Sequence, residues 1–245
     1  AGIVGGVDVE VTEPSRSRDH TERMLAALGA RVEVDGTRVR VAATAALQPL
    51  DVRVPADPSS AAFLIALAVL SSQTPIVVPN VCLNPTRVGF FDVLQRMGAD
   101  VVIAPGSAQG GEPTGSVQGS PSELRGVVVG EVDVPSMIDE LPLLACVGAR
   151  ARGTTEIRGA AELRVKESDR IATVVSNLRA IGAVAEERFD GLVVAGSDAP
   201  LRGLVRTHGD HRIAMAFGVL GAIPGNEIEI DDPACVAVSY PEFWD

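Results

Sequence analysis

Two rhythms alternate along the chain. In the first, an apolar helical stretch ends on Gly, a small residue follows, and a short strand-like run begins. It occurs over residues 24–34, 93–103 and 177–186, with Gly29-Ala30, Gly98-Ala99 and Gly182-Ala183 at the junctions. Each Gly stands where a helix end calls for a left-handed residue. In the second, a helix passes through a turn into a strand: 60–70 into 74–78, 140–149 into 153–157, and 213–221 into 226–230. Together they predict a unit of two helices and several strands, repeated about every 70 to 85 residues by the spacing of Gly29, Gly98 and Gly182. The mixture of elements belongs to the α/β or α+β class. The first copy lacks its leading helix. The last stops at Pro241-Glu242-Phe243-Trp244-Asp245, where the others have a second helix, so both ends are expected to cut through repeats. Residues 105–116, rich in Gly and Pro, read as a flexible surface loop.

Composition narrows the class without changing this picture. The 245 residues, 46% hydrophobic and 22% charged, suit a globular protein. A net charge of −11 argues against a nucleic-acid or anionic-membrane surface, although a local cleft of Arg and Lys can still oppose that sign. Cys82, Cys146 and Cys235 lie far apart in apolar contexts with no zinc-like spacing, which predicts free buried thiols and a reducing compartment. The longest apolar stretch, 61–70, is too short to span a bilayer. No signal peptide is visible, and a start at Ala1-Gly2 without Met reads as a processed or cut end.

Five polar clusters interrupt the core pattern. Residues 163–170 hold three cations and two carboxylates. A helix beginning near Lys166 would put Lys166 and Arg170 on one face with Glu167 beside them. That is either a salt-bridged surface helix or an anion seat holding a carboxylate that can carry a proton. Residues 15–23 read as a Ser/Asp-capped helix start, or as an Arg anion site centred on Arg18. Asp139, between a strand-like run and an apolar helix, is either an N-cap or first-turn residue, or a base for a substrate hydroxyl. Asp210 can cap a helix from whose first turn Arg212 projects. The neighbouring His208 and His211 lack a third ligand at metal-site spacing. Residues 57–63 read as a structural, Ser-capped helix start. No phosphate-binding Gly loop, GxSxG elbow or metal cage is present in the sequence. Positioning and proton transfer are the chemistry that remains.

Residues 17–25, 163–170 and 209–215, with 57–63, 83–87 and 235–243, resemble 5-enolpyruvylshikimate-3-phosphate synthase, in order and over essentially the whole chain. Lys166-Glu167-Ser168-Asp169-Arg170 and Asp210-His211-Arg212 are the specific motifs. The resemblance implies an inside-out α/β barrel of the enolpyruvyl transferase type, built of pseudo-symmetric repeated βαβαββ units with helices inside and sheets outside. Residues 1–50 would be the incomplete tail of the N-terminal domain. Residues 51–245 would be a second domain of three units, about 51–105, 120–195 and 200–245. The reaction implied is transfer of the enolpyruvyl group of phosphoenolpyruvate to the 5-hydroxyl of shikimate 3-phosphate, with release of phosphate and with no metal or organic cofactor.

Carried over by position, Asp139 resembles the carboxylate that contacts the shikimate hydroxyls and takes the attacking proton. Glu167 resembles the residue that protonates the phosphoenolpyruvate methylene. Arg18 and Lys166 would bind shikimate 3-phosphate with Asp139, and Arg170 and Arg212 would bind phosphoenolpyruvate. His211 and Asp210 would support the local turn. Two departures stand out. Val238 replaces a Lys that some members carry near the C-terminus, and nearly all of the N-terminal domain, with its phosphate loops, has no counterpart. The resemblance therefore implies a bacterial, cytoplasmic enzyme, monomeric at full length, of which this chain is a fragment inactive without its N-terminal domain. The alternatives are a UDP-N-acetylglucosamine carboxyvinyltransferase or a non-catalytic module that keeps the fold.

Overall fold

A computed structural model describes residues 2–43, 46–70 and 74–245; Ala1, the first residue of the chain, lies outside them. The first group comprises α1 (Gly2–Gly5), β1 (Val9–Thr12), α2 (His20–Ala27), β2 (Val32–Asp35) and β3 (Arg38–Val41), with an antiparallel sheet ordered β1-β3-β2. The second has α3 (Pro58–Leu70), β4 (Ile76–Cys82), α4 (Gly89–Arg96), β5 (Asp100–Pro105) and β6 (Thr114–Ser120), with an antiparallel sheet ordered β4-β6-β5. The third has β7 (Val128–Val129), α5 (Leu141–Gly148), β8 (Thr154–Ile157), α6 (Arg170–Ala180), β9 (Val184–Arg188) and β10 (Gly191–Ala195), in the sheet order β7-β8-β10-β9. The last pairs β11 (Arg202–Val205) in parallel with β12 (Glu227–Ile230) around α7 (His211–Gly221).

The repeats have a common cause. Gly29, Gly98 and Gly182 end α2, α4 and α6 at φ +89, +91 and +95. In each, the amide of the next Ala returns to the carbonyl five residues back: Ala30 to Leu25, Ala99 to Leu94, and Ala183 to Leu178. This left-handed cap turns the chain from helix into strand. Helices α3, α5 and α7 are apolar nearly all round. Every residue of α5 is buried, as are nine of the thirteen in α3, and helices of that kind belong in a core.

α3, α5 and α7 pack against one another, while β4 and β6 cover α3, β8 and β10 cover α5, and β12 covers α7. Helices occupy the centre and sheets the outside, as an inside-out α/β fold requires. Phe63, Phe90, Phe91 and Phe217 are almost wholly buried, each stabilising the fold by roughly 1.5–3 kcal/mol. Close backbone approach closes the layers: a Cβ on Gly196 would lie 1.6 Å from the Ala151 carbonyl oxygen. Among the described residues, no helix is long and apolar enough to cross a membrane.

Several local expectations are corrected. Residues 161–165 form a 3-10 turn, Lys166 is extended, and α6 starts only at Arg170, because Asp169 accepts the Ala172 amide at 3.1 Å and fixes the helix start there. Lys166 and Arg170 therefore share no helical face. Asp57, not a Ser, caps α3 by accepting the Ser60 amide at 3.1 Å. Of residues 105–116, Pro105 ends β5 and Thr114, Gly115 and Ser116 begin β6. Only 106–113 connect them.

Candidate active site

The starts of the central helices converge beside one open cleft of about 1010 Å³, whose walls include Arg18, Thr86, Asp139, Glu162 and Lys166. Asp139 lies in the first turn of a 3-10 segment (Ile138–Glu140) ahead of α5, as its first-turn reading has it, while Met137 and Glu140 take the N-cap positions. The N-cap reading of this residue is thereby corrected. Its carboxylate is free of the helix because its neighbourhood is cationic. Arg18 Nη2 donates to its Oδ2 at 2.6 Å, while Arg170 Nη1 and Lys166 Nζ lie 3.6 and 3.9 Å from Oδ1. Burial pushes the Asp139 pKa up, but the Arg18 hydrogen bond and the charges of Arg212, Arg18 and Lys166 overcome it, and the net shift is downward. Asp139 is held as an anion.

Arg170 is the hub. Its side chain is 1% exposed. Nε and Nη2 donate to the two oxygens of Asp210 at 2.9 and 3.2 Å, and Nη2 reaches Glu167 Oε2 at 2.6 Å. Asp210 is wholly buried and serves two partners besides: it accepts the Arg212 amide at 3.0 Å, capping α7, and the Ser168 hydroxyl at 2.9 Å. Burial raises its pKa, and the bonds from Arg170 and Ser168 more than reverse this, leaving it lowered. Charges removed from water in this way need such pairing. Glu167 itself is half exposed, so solvent or a ligand can reach its free edge. Lys166 also pairs with Glu162 Oε1 at 3.1 Å.

Arg212, at the first turn of α7, reaches back toward α5. Its Nη1 donates to Glu140 Oε1 at 3.1 Å and to the Asp139 carbonyl at 3.4 Å. Glu140 is assigned no role by the sequence pattern. It is almost fully buried, and that burial raises its pKa against the lowering influence of Arg212 and Ser59. Arg87 extends this ion-pair chain by donating to Asp57 Oδ1 at 3.0 Å and to Ser59 Oγ at 2.8 Å. The polar Glu140 directly preceding an all-apolar helix was the available signal for this second ion-pair chain, and the pattern alone named no partner for it. His211 is half-buried beside Arg212. Burial first, then Arg212, lowers its pKa.

Asp19 occupies the N-cap position of α2 without making a capping bond, because its carboxylate takes Arg23 at 2.8 and 3.0 Å and Asn84 at 2.7 Å. This ties α2, and Arg18 just before it, to the turn after β4. The structure thus gathers Arg18, Asp139, Lys166, Glu167, Arg170, Asp210 and Arg212 into one network. Such an arrangement can seat a multiply anionic ligand and exchange protons with it.

Comparison with known proteins agrees with the geometry. The family model described as EPSP synthase (3-phosphoshikimate 1-carboxyvinyltransferase) matches residues 1–245. The 3-phosphoshikimate 1-carboxyvinyltransferase of Roseiflexus castenholzii is 46% identical over 100% of this chain and 57% of its own length. That of Bacillus subtilis is 45% identical over 100% of this chain and 58% of its own. A solved structure of EPSP synthase from Acinetobacter baumannii superposes with a TM-score of 0.92 at 37% identity, covering 98% of this chain and 57% of that one. The enolpyruvyl transferase NikO of Streptomyces tendae shares the fold, with a TM-score of 0.76 at 22% identity, 98% of this chain and 54% of its own. The chain spans a little over half the length of the curated relatives it matches, and over that whole span it belongs to the EPSP synthase family.

Proposed function

We propose that this chain forms one wall of an enolpyruvyl transfer site that joins phosphoenolpyruvate to the 5-hydroxyl of shikimate 3-phosphate and releases phosphate. The observation that carries this reading is the convergence of Arg18, Lys166, Arg170 and Arg212 on Asp139. In this assignment Arg18 and Lys166 meet shikimate 3-phosphate. Arg212 and the loosely paired Nη1 edge of Arg170 meet phosphoenolpyruvate. Asp139 accepts the proton of the 5-hydroxyl as its oxygen attacks. Glu167 gives a proton to the methylene carbon, making the neighbouring carbon cationic so that the oxygen can add. In the second half the carbon–oxygen bond to phosphate breaks and Glu167 recovers a proton from the new methyl group.

The low pKa of Asp139 supports this division of labour. Unliganded, it is ionised but weakly basic, because four cations stabilise its charge. Anionic substrates would neutralise those cations and raise its proton affinity when a base is needed. Fixed cations also stabilise the departing phosphate.

Because the chain covers little more than half of its relatives' length, we place the opposite wall of the cleft in sequence outside these 245 residues. The isolated chain would then not turn over, since positioning needs both walls. We further read the full-length enzyme as monomeric and cytoplasmic, with residues 1–50 and 51–245 in separate domains. The test is phosphate release from the two substrates. In the full-length protein, Glu167→Gln and Asp139→Asn should each lower kcat by about 10²–10⁴-fold. Wild-type turnover in either variant would overturn the roles assigned to these carboxylates, and ordinary turnover by the isolated chain would overturn the two-wall arrangement.

A further inference from the structure

Three potential metal ligands from separate elements meet at the start of α2, outside the residues that line the cleft. His20 opens α2, Cys82 ends β4, and Glu112 sits in the 106–113 connection. His20 Nδ1 lies 2.6 Å from Glu112 Oε1, the Cys82 sulfur donates to Glu112 Oε2 at 3.7 Å, and the three ligand atoms all fall within 4.8 Å of one another. Among the described residues this is the one group of three or more His, Cys, Asp or Glu side chains so arranged. We propose that His20, Cys82 and Glu112 form a three-ligand site for a borderline divalent cation of the zinc class, with a fourth position open to water.

The donor set selects the ion. One thiolate sulfur, one imidazole nitrogen and one carboxylate oxygen suit zinc, cobalt or cadmium, whereas calcium and magnesium favour all-oxygen shells. Zinc-to-ligand distances of about 2.0–2.3 Å require the three atoms to lie under about 4 Å apart, which small side-chain rotations achieve from the present spacing. With Cys82 ionised, Cys82, Glu112 and Asp19 carry −3, opposed by Arg23, by Arg16 at 3.5 Å from Asp19 and by the charge of Arg87 near Cys82, so the donor atoms rather than a net local charge would hold the ion. Arg23 approaches Glu112 Oε2 only to 4.0 Å, because Asp19 holds it.

The surroundings are built to orient the ligands. The fully buried Asn84 donates to Glu112 Oε2 at 2.9 Å, the kind of outer contact that fixes a metal-binding carboxylate. The connection carrying Glu112 is drawn tight against α2: Gly111 has φ +86, and a Cβ there would come within 2.8 Å of the Arg23 carbonyl. An adjoining cavity of about 310 Å³, bordered by His20, Met24, Cys82 and Glu112, leaves room for the fourth ligand. A thiolate ligand binds in its deprotonated form, so binding would release the Cys82 proton to solvent. The bound ion would clamp α2 onto β4, two residues from Arg18.

Cobalt(II) titrated alone into the purified chain tests this, with the thiolate-to-cobalt charge-transfer band as readout and zinc added to displace it. The expected result is a band saturating at one cobalt per chain, absent in Cys82→Ser and at least about tenfold weaker in affinity in His20→Gln and Glu112→Gln. Cys146 and Cys235 remain in every variant as internal controls. His20→Gln alters a partly exposed side chain, so folding is not at issue there. No band, a band that survives Cys82→Ser, or unchanged affinity in His20→Gln would overturn the assignment, and none of these outcomes depends on turnover.

Discussion

Arg170 and Asp210 are 1% and 0% exposed and bonded through both carboxylate oxygens. The value of this pair lies in what its loss would leave behind. Replacing Asp210 with Ala strands a guanidinium in the protein interior and removes the cap of α7 at once. The expected cost is about 3–5 kcal/mol, measured as a loss of unfolding free energy in urea. A loss under about 1 kcal/mol would mean that Glu167 and Asp139 can satisfy Arg170 alone. The identities of these residues, and their place in the Lys166–Arg170 and Asp210–Arg212 motifs, were legible in the sequence. That the two motifs hold each other was not, because a bond spanning 40 positions leaves no periodic trace.

At the scale of elements, the three glycine junctions show how far pattern reading reaches. Gly182 has φ +95, and no atom lies within 4 Å of where its Cβ would stand. Gly182→Ala should therefore cost only the backbone term, about 1–2 kcal/mol. Gly196→Ala meets the Ala151 carbonyl at 1.6 Å and should prevent folding or destabilise by several times as much. Thermal melts of both variants would show the contrast, and equal costs would contradict the packing described for α5 and β10. Gly182 was readable because a helix end is a local event. Gly196 was not, since its constraint comes from a chain segment 45 positions away. The misplaced start of α6 has a related origin: the charge pattern of residues 163–170 fits a helix, but one side chain, Asp169, selects where the backbone begins to coil.

For the whole molecule, the buried charges predict how stability depends on pH. His211 is lowered from its ordinary value of 6.5 by burial, then by Arg212 and Arg170, with Asp210 and Glu167 opposing. A lowered folded value means that its contribution is present above about pH 6.5 and declines as acid protonates it. Asp139 and Asp210, lowered from 3.8, contribute above that pH and lose stability below it. Glu140, raised from 4.5, runs the other way, with its contribution present in acid and lost as pH rises through its elevated value. Urea unfolding from pH 8 to pH 3 should show a steep loss below about pH 4. Subtracting the Glu140→Gln curve should isolate a term that favours acid, and subtracting the His211→Gln curve a term that favours base. A His211 difference that grows on acidification would contradict the burial argument.

The sequence by itself determined the helix–glycine–strand repeat, the α/β class and the charged motifs, because each is written in residue types a few positions apart, where backbone propensity and capping act. Tertiary structure alone decided which charges meet. Asp139 became the centre of four cations, Glu140 the hidden partner of Arg212, and His20, Cys82 and Glu112 a single cluster, because the fold brings segments 30 to 120 residues apart within a few ångströms. At that range electrostatics and desolvation set the chemistry, and both depend on distance and burial that no linear pattern records.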